Sequence, residues 1–169
     1  VRRVAFGKKD TMEVVGWLMS LLAEMGAGTR VIVDETGTGA GIVDRLRENA
    51  VDVDGINFAS RADEPERFVN KRAEMFWHAR EMVRARNVRV PDEEKLISQL
   101  AAVKYRFHSN GRILLESKEE LKKRLGRSPD EADCFVLGLE ALRHCPAVPE
   151  QCNVRPSHWA SEGQTAGEY

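Results

Sequence analysis

Apolar positions along the chain change period several times, and each change marks an element. Val14, Val15, Leu18, Leu21 and Leu22 share one face at helical spacing. They predict an amphipathic helix capped by Thr11, running to about Glu24 and ended by Gly26 and Gly28. The compact runs from Thr29 to Asp34 and from Val53 to Phe58 read as two buried strands, separated by a turn over 36–41 and a helix over 41–49. Strand, helix, strand at this spacing is a parallel β-α-β unit. Pro65 is expected to open a long helix to about Arg86, with Phe68, Ala73, Phe76, Trp77 and Val83 inward. Val88 to Val90 reads as extended, and Asp92 as the cap of a helix through about Ala102. Tyr105-Arg-Phe-His and Arg112-Ile-Leu-Leu-Glu flank Ser109-Asn-Gly111, a hairpin signal. A basic helix over 118–125 and an apolar helix over 128–143 close the pattern, and residues 1–6 read as a short strand.

This is an α/β pattern. With 169 residues and 42% hydrophobic content, the chain is expected to form one domain over 1–144 and a poorly ordered tail over 145–169, rich in Pro, Ser, Gly, Gln and Glu. The formal charge of -1, from 26 basic and 27 acidic residues, leaves nucleic-acid binding to local basic patches. Cysteines at 134, 145 and 152 form no CxxC pair, which favours a reducing, intracellular setting. No apolar run approaches the ~20 residues a membrane helix needs, so no membrane partner is expected.

The most informative chemistry lies in Ser128-Pro-Asp-Glu-Ala-Asp133. Ser128 suits an N-cap and Pro129 the first helical position, while Asp130 and Glu131 suit the positive end of the helix dipole. Capping explains Asp130 but not Asp133, whose neighbours are apolar and whose charge needs a counter-ion or a bound cation. Asp34 ends a buried strand before a glycine-rich turn, the edge of an open α/β sheet where sites form, although a capping role for Asp34 or Thr36 stands beside that reading. The turn has neither the Gly-Lys-Ser/Thr of a P-loop nor the third glycine of a dinucleotide fingerprint. If the last helix packs across the first strand, Asp34 and Asp133 meet, and such oxygen ligands suit Mg²⁺ or Mn²⁺. Two such ions can activate water and stabilise the leaving oxygen in phosphodiester cleavage.

Lys118, Lys122, Lys123, Arg124 and Arg127 form a basic cluster suited to phosphates, or simply a solvated helix face, and Arg106 and Arg112 sit on the hairpin. Lys71 and Arg72 read as phosphate contacts or as a polar helix face, and Glu74 and Glu116 as metal support or salt bridges. His78 and His108 have no neighbour suggesting general-base work. His144, Cys145, Cys152 and His158 match no standard zinc spacing.

Val31-Ile-Val-Asp-Glu-Thr-Gly-Thr-Gly-Ala-Gly-Ile-Val-Asp44, the Asn70-Lys-Arg-Ala-Glu74 stretch and Glu116 through Asp133 together resemble, in order and spacing, the nuclease domain of tailed-phage terminase large subunits. The resemblance covers roughly 1–143. It implies a ribonuclease H-like sheet, parallel or mixed and flanked by helices, that uses divalent metal to cut concatemeric DNA during packaging. It makes Asp34 and Asp133 metal-binding catalytic acids and Asp130 an accessory one. Lys118, Lys122, Lys123, Arg124, Arg127 and Arg112 become DNA contacts. Double-stranded DNA and a portal or small terminase subunit are the implied partners, in the cytoplasm of a phage-bearing host.

One departure matters. The family's first catalytic aspartate lies on a strand upstream of the segment resembling Val1 to Asp10, and no Walker-type motif precedes it. The chain therefore reads as a nuclease domain truncated at its N-terminus. Its sheet is expected to be completed by self-association, by rearrangement or by a strand from a partner. Two alternatives stand beside the nuclease: a catalytically silent module that binds DNA or the packaging motor, and an unrelated α/β binding domain whose acids are helix caps.

Overall fold

The computed structural model describes residues 9–26 and 28–143. The expected strand over 1–6, the tail and its cysteine and histidine positions lie outside them.

Helix α1 (Thr11–Met25) is capped by Asp10 rather than by Thr11: Asp10 accepts from the Glu13 backbone, and Glu13 reaches back to the Asp10 backbone. This reciprocal pair satisfies two otherwise orphaned N–H groups. Strand β1 (Val31–Asp34), helix α2 (Gly39–Glu48) and strand β2 (Val53–Ile56) form the expected parallel β-α-β unit, Val31 facing Val53 and Asp34 facing Ile56. Alternation along β1 splits its side chains between two cores. Val31 and Val33 join Val15, Val43 and Leu46 beneath α1 and α2, while Ile32 joins the larger core. Asp34, two residues after Ile32, shares its face. Among the described residues β1 pairs with β2 alone.

The long helix expected from Pro65 begins six residues later, as α3 (Lys71–Arg84), capped by Asn70 through the Ala73 N–H. Phe68 is therefore not on a helix. It forms a parallel bridge with Ile113, reinforced by Val69 N to Ile113 O at 3.0 Å and Ile113 N to Arg67 O at 2.7 Å. These pairings to a neighbouring strand, together with the Asn70 cap, override the helix-starting tendency of Pro65. Helix α4 (Glu94–Ala102) starts after Glu93, one residue later than an Asp92 cap would place it. The hairpin β3 (Tyr105–Phe107) and β4 (Ile113–Leu115) is antiparallel as expected. Helix α5 (Lys118–Leu125) closes with Ser117 and Glu120 as a capping box and Gly126 at φ +71°.

Helix α6 (Asp130–Arg143) packs across α3, α4 and β1. Its start is organised from a neighbouring helix. Fully buried Gln99 of α4 accepts the Ala132 N–H at 3.0 Å and donates to Ser128 O at 3.5 Å and to Glu131. Gln99 thus does the work the sequence suggested for Ser128. Burial disfavours the Glu131 carboxylate, but Lys95 and Gln99 outweigh that and hold its pKa down at about 2. The larger core gathers Phe58, Phe68, Met75, Phe76, Ile113, Leu115, Val136 and Leu139. Among the described residues no helix is long and apolar enough to cross a membrane.

Candidate metal centre

Two elements bring carboxylates together. Asp34 stands at the end of β1 on the face turned toward α6, and Asp133 lies in the first turn of α6. The turn after β1 is tight because α2 starts against it: a methyl group on Gly39 would sit 1.7 Å from the Asp34 carbonyl oxygen. Only glycine fits that approach. Asp34 Oδ1 accepts the Thr36 N–H at 3.0 Å, so it braces this turn. It does not cap α2, whose N-terminal flank, Thr38, makes no side-chain cap bond either. Asp34 Oδ2 remains for other work.

Lys118, the first residue of α5, bridges the pair. Its Nζ lies 2.9 Å from Asp133 Oδ2 and 3.7 Å from Asp34 Oδ2, and it also sits 4.9 Å above the Phe58 ring. On the far side of Asp133 is Arg72, its Nε 3.7 Å from Asp133 Oδ1. Arg72 is buried, donates Nη1 to Glu116 O at 3.0 Å and stacks 5.0 Å over Phe76. Arg72 Nε, Arg72 Nη2 and Asp133 Oδ1 are buried without hydrogen-bond partners among the described residues. Burial pushes the Asp133 carboxyl upward, with Asp34 adding to the effect and Lys118 and Arg72 opposing it; burial likewise pushes Arg72 down. A buried carboxylate, a second carboxylate beside it and a cation between their Oδ2 atoms is a donor set that fits a hard divalent ion.

The other expected site residues are distributed more widely. Asp130 is exposed on the opening turn of α6, one turn before Asp133. Lys122 and Lys123 are exposed on α5. Arg124 binds Glu116 and the Ala102 carbonyl, and Arg127 donates to Ser98 at 3.4 Å. Arg112 is half-buried on the hairpin. Glu116 accepts the Lys104 N–H at 2.7 Å and so ties the hairpin base to α5.

The Asn70 to Glu74 stretch departs most from its sequence reading. Lys71 and Arg72 are buried, not a polar face. Lys71 Nζ contacts Asp63 at 2.7 Å, Glu74 at 3.0 Å and Glu140 at 2.9 Å, while Glu74 accepts the N–H groups of Asp63 and Glu64. Glu64, Glu74 and His78 converge closely enough to suggest a cation site. Both Glu74 oxygens are already engaged and His78 contacts Glu64 and Arg143, so the cluster works as a structural network. Its effect on the site is indirect. It fixes the 57–64 segment, and with it the Phe58 ring beneath Lys118, onto the start of α3; Lys71 N to Ser60 O at 2.9 Å and Arg72 N to Phe58 O at 3.0 Å complete the anchor.

No protein-family model and no curated protein matches the chain. Solved structures do. The chain is similar to the nuclease domain of the large terminase subunit gp2 of bacterial virus Sf6, with a TM-score of 0.57 and 23% identity over 79% of this chain and 72% of that one. A mutant of that domain with manganese and beta-thujaplicinol gives a TM-score of 0.56 and 24% identity over 80% and 73%. The mutant with manganese gives 0.54 and 24% over 78% and 72%. The resemblance read from the sequence therefore has a structural counterpart: this chain has the α/β, ribonuclease H-like fold of that terminase nuclease domain.

Proposed function

We propose that this chain is a terminase-type nuclease domain, spanning 1–144, that hydrolyses phosphodiester bonds of double-stranded DNA with Mg²⁺ or Mn²⁺. The convergence of Asp34 and Asp133 on Lys118 carries the reading, set in a fold like that of the Sf6 domain. Asp34 Oδ2 and the Asp133 carboxylate would hold the metal, and Asp130 would assist from the exposed turn before them. A bound pair of ions would supply Lewis acidity at the phosphate and a water acidic enough to attack near neutral pH. Lys118, Lys122, Lys123, Arg124, Arg127 and Arg112 would hold the DNA backbone, in a salt-dependent way. The substrate would be concatemeric DNA in a phage-bearing host cell, with a portal or small terminase subunit as motor partners. A strand added by a second copy would find its place on the outer edge of β1.

The test is plasmid nicking. Wild-type protein is expected to nick supercoiled plasmid in Mn²⁺, to stop on addition of EDTA, and to lose the activity in Asp34→Asn. A second reading, binding to DNA or motor without cleavage, is favoured by one observation: among the described residues Lys118 bridges two aspartates, and Asp130 stands apart. Folded protein that shifts DNA mobility but leaves plasmid uncut in Mn²⁺ would establish it.

Lys118 has a double role in this reading. Its ammonium neutralises the two carboxylates where a metal ion would, so ion and amine compete. Lys118→Ala is expected to bind Mn²⁺ about tenfold more tightly in calorimetry, the equivalent of ~1.4 kcal/mol. Unchanged or weaker binding would mean that the amine does not occupy the ion's place.

A further inference from the structure

We propose that the outer strand of the β3–β4 hairpin is a stacking surface for unpaired nucleotides of the DNA that the metal centre cuts; the assignment rests on the nuclease reading and names the form of DNA it would hold. All three residues of β3 are exposed, Tyr105 at 48% and Phe107 at 67%. Cross-strand register puts Tyr105 opposite Leu115 and Phe107 opposite Ile113. Directly paired residues share a sheet face, and Ile113 and Leu115 are buried in the core. The apolar face therefore runs past the core and into solvent. The rings there form a row: Trp77 and Tyr105 are 5.4 Å apart at 87°, and Tyr105 and Phe107 are 6.0 Å apart at 86°. Arg80 sits 4.7 Å over Trp77 at one end.

Charge selects the occupant. Residues 104–112 carry Lys104, Arg106 and Arg112 and no carboxylate, in a chain whose net charge is -1. Arg106 pairs with Leu114 and Arg112 lies two residues before it, so both alternate to the face opposite the rings. Along the edge of β3 that is unpaired among the described residues, a strand of nucleic acid meets rings on one side and, on the other, Arg106 with the Glu120 carboxylate near it. That pairing of stacking faces with phosphate contacts is what single strands bind, whereas the bases of an intact duplex already stack on each other. A peptide adding to β3 as a further strand would find only three residues to pair with, the middle one charged. The row lies on elements that lead into the site. Trp77 lies five residues after Arg72 on α3, and Leu115, opposite Tyr105, lies three residues before Lys118.

The experiment is fluorescence anisotropy in EDTA, with labelled oligothymidylate and a fully paired duplex of equal length as probes. Wild-type protein is expected to bind both. Tyr105→Ala with Phe107→Ala is expected to bind oligothymidylate at least tenfold more weakly and the duplex as wild type does. Phe107→Trp should keep oligothymidylate binding and Phe107→Leu should lose it, because stacking needs a ring and not merely apolar bulk. Both side chains are exposed, and unchanged thermal midpoints would confirm that the fold is intact. Equal loss on both probes, equal binding by Phe107→Leu, or no loss at all would overturn the assignment. A concentration-dependent dimer abolished by Phe107→Ala would also overturn it, in favour of a second copy on this edge. Failure of the nuclease reading looks different: no nicking in Mn²⁺, with the discrimination between the two probes retained.

Discussion

Asp133→Asn is expected to abolish manganese-dependent nicking while leaving the protein as stable as wild type or more so. On the proposed assignment of Asp34 and Asp133 as metal ligands, loss of one of the two carboxylates would remove several kcal/mol of transition-state stabilisation, a fall of at least about a hundredfold. Stability moves the other way. Burial, and Asp34 beside it, raise the Asp133 pKa above its ordinary 3.8 despite Lys118 and Arg72. The fold thus prefers the protonated form, and the ionised carboxylate works against folding at every pH above the raised value. That burden shrinks as pH falls through the folded pKa and vanishes below 3.8. An asparagine never carries it. The thermal midpoint of the variant should therefore exceed that of wild type most near neutral pH, and the gap should close on acidification. Differential scanning fluorimetry across pH, in EDTA, reads this directly. A variant markedly less stable than wild type at neutral pH would mean that Asp133 is a structural ion pair and not a strained ligand kept for function.

Much of this arrangement is legible in the sequence, and the losses have physical causes. The β-α-β unit and the hairpin follow from local periodicity and turn chemistry, and the structure keeps both. Helix α5 keeps its expected bounds because its determinants are local: Ser117 before it, Glu120 in its first turn and Gly126 after it. The start of α3 was misplaced because Phe68 gives its backbone to Ile113, forty-five residues away in sequence, which no local rule reveals. Lys71 and Arg72 looked like a polar face for a similar reason. Their partners, Glu140 and Asp133, lie on a helix that arrives only in the tertiary fold. Asp133 itself was conspicuous, since a carboxylate in an apolar run is costly without a counter-charge. Lys118 reads from the sequence only as a charge suited to DNA; its position between two aspartates depends on α5 docking against α4, which brings its first residue to β1 and α6. Gln99 carried no signal at all, because a glutamine on an amphipathic helix looks like any surface residue until it is found capping another helix.

The largest loss of stability is expected from Lys71→Met. Lys71 is 7% exposed, and two of its three carboxylate partners, Glu74 and Glu140, are buried at 0% and 1%. Methionine fills the same volume but leaves those two negative charges facing each other in the core. Arg143 still reaches Glu140, and the backbone of Asp63 and Glu64 still holds Glu74, so the fold should persist. Breaking a buried ion pair from one side costs about 3–5 kcal/mol, which would appear as a large drop in the urea midpoint. Burial disfavours the Lys71 ammonium, yet the hydrogen bonds it donates to Asp63, Glu140 and Glu74 prevail and raise its pKa above the ordinary 10.5. A raised lysine contributes fully below its unfolded pKa and is lost only as pH rises through the folded value. The penalty in Lys71→Met should accordingly be constant from pH 6 to 9. Pairing it with Glu140→Gln supplies the cycle: a coupling energy of about 1–3 kcal/mol identifies the pair as interacting, and simple additivity would show that Lys71 acts elsewhere. The consequence for the metal centre follows from position. This network holds the 57–64 segment against α3, and Phe58 in that segment is the surface on which Lys118 rests. Loosening that support should free the Lys118 amine from the two aspartates, so Lys71→Met is also expected to tighten Mn²⁺ binding in the direction of Lys118→Ala, although Lys71 is assigned no part in holding the ion.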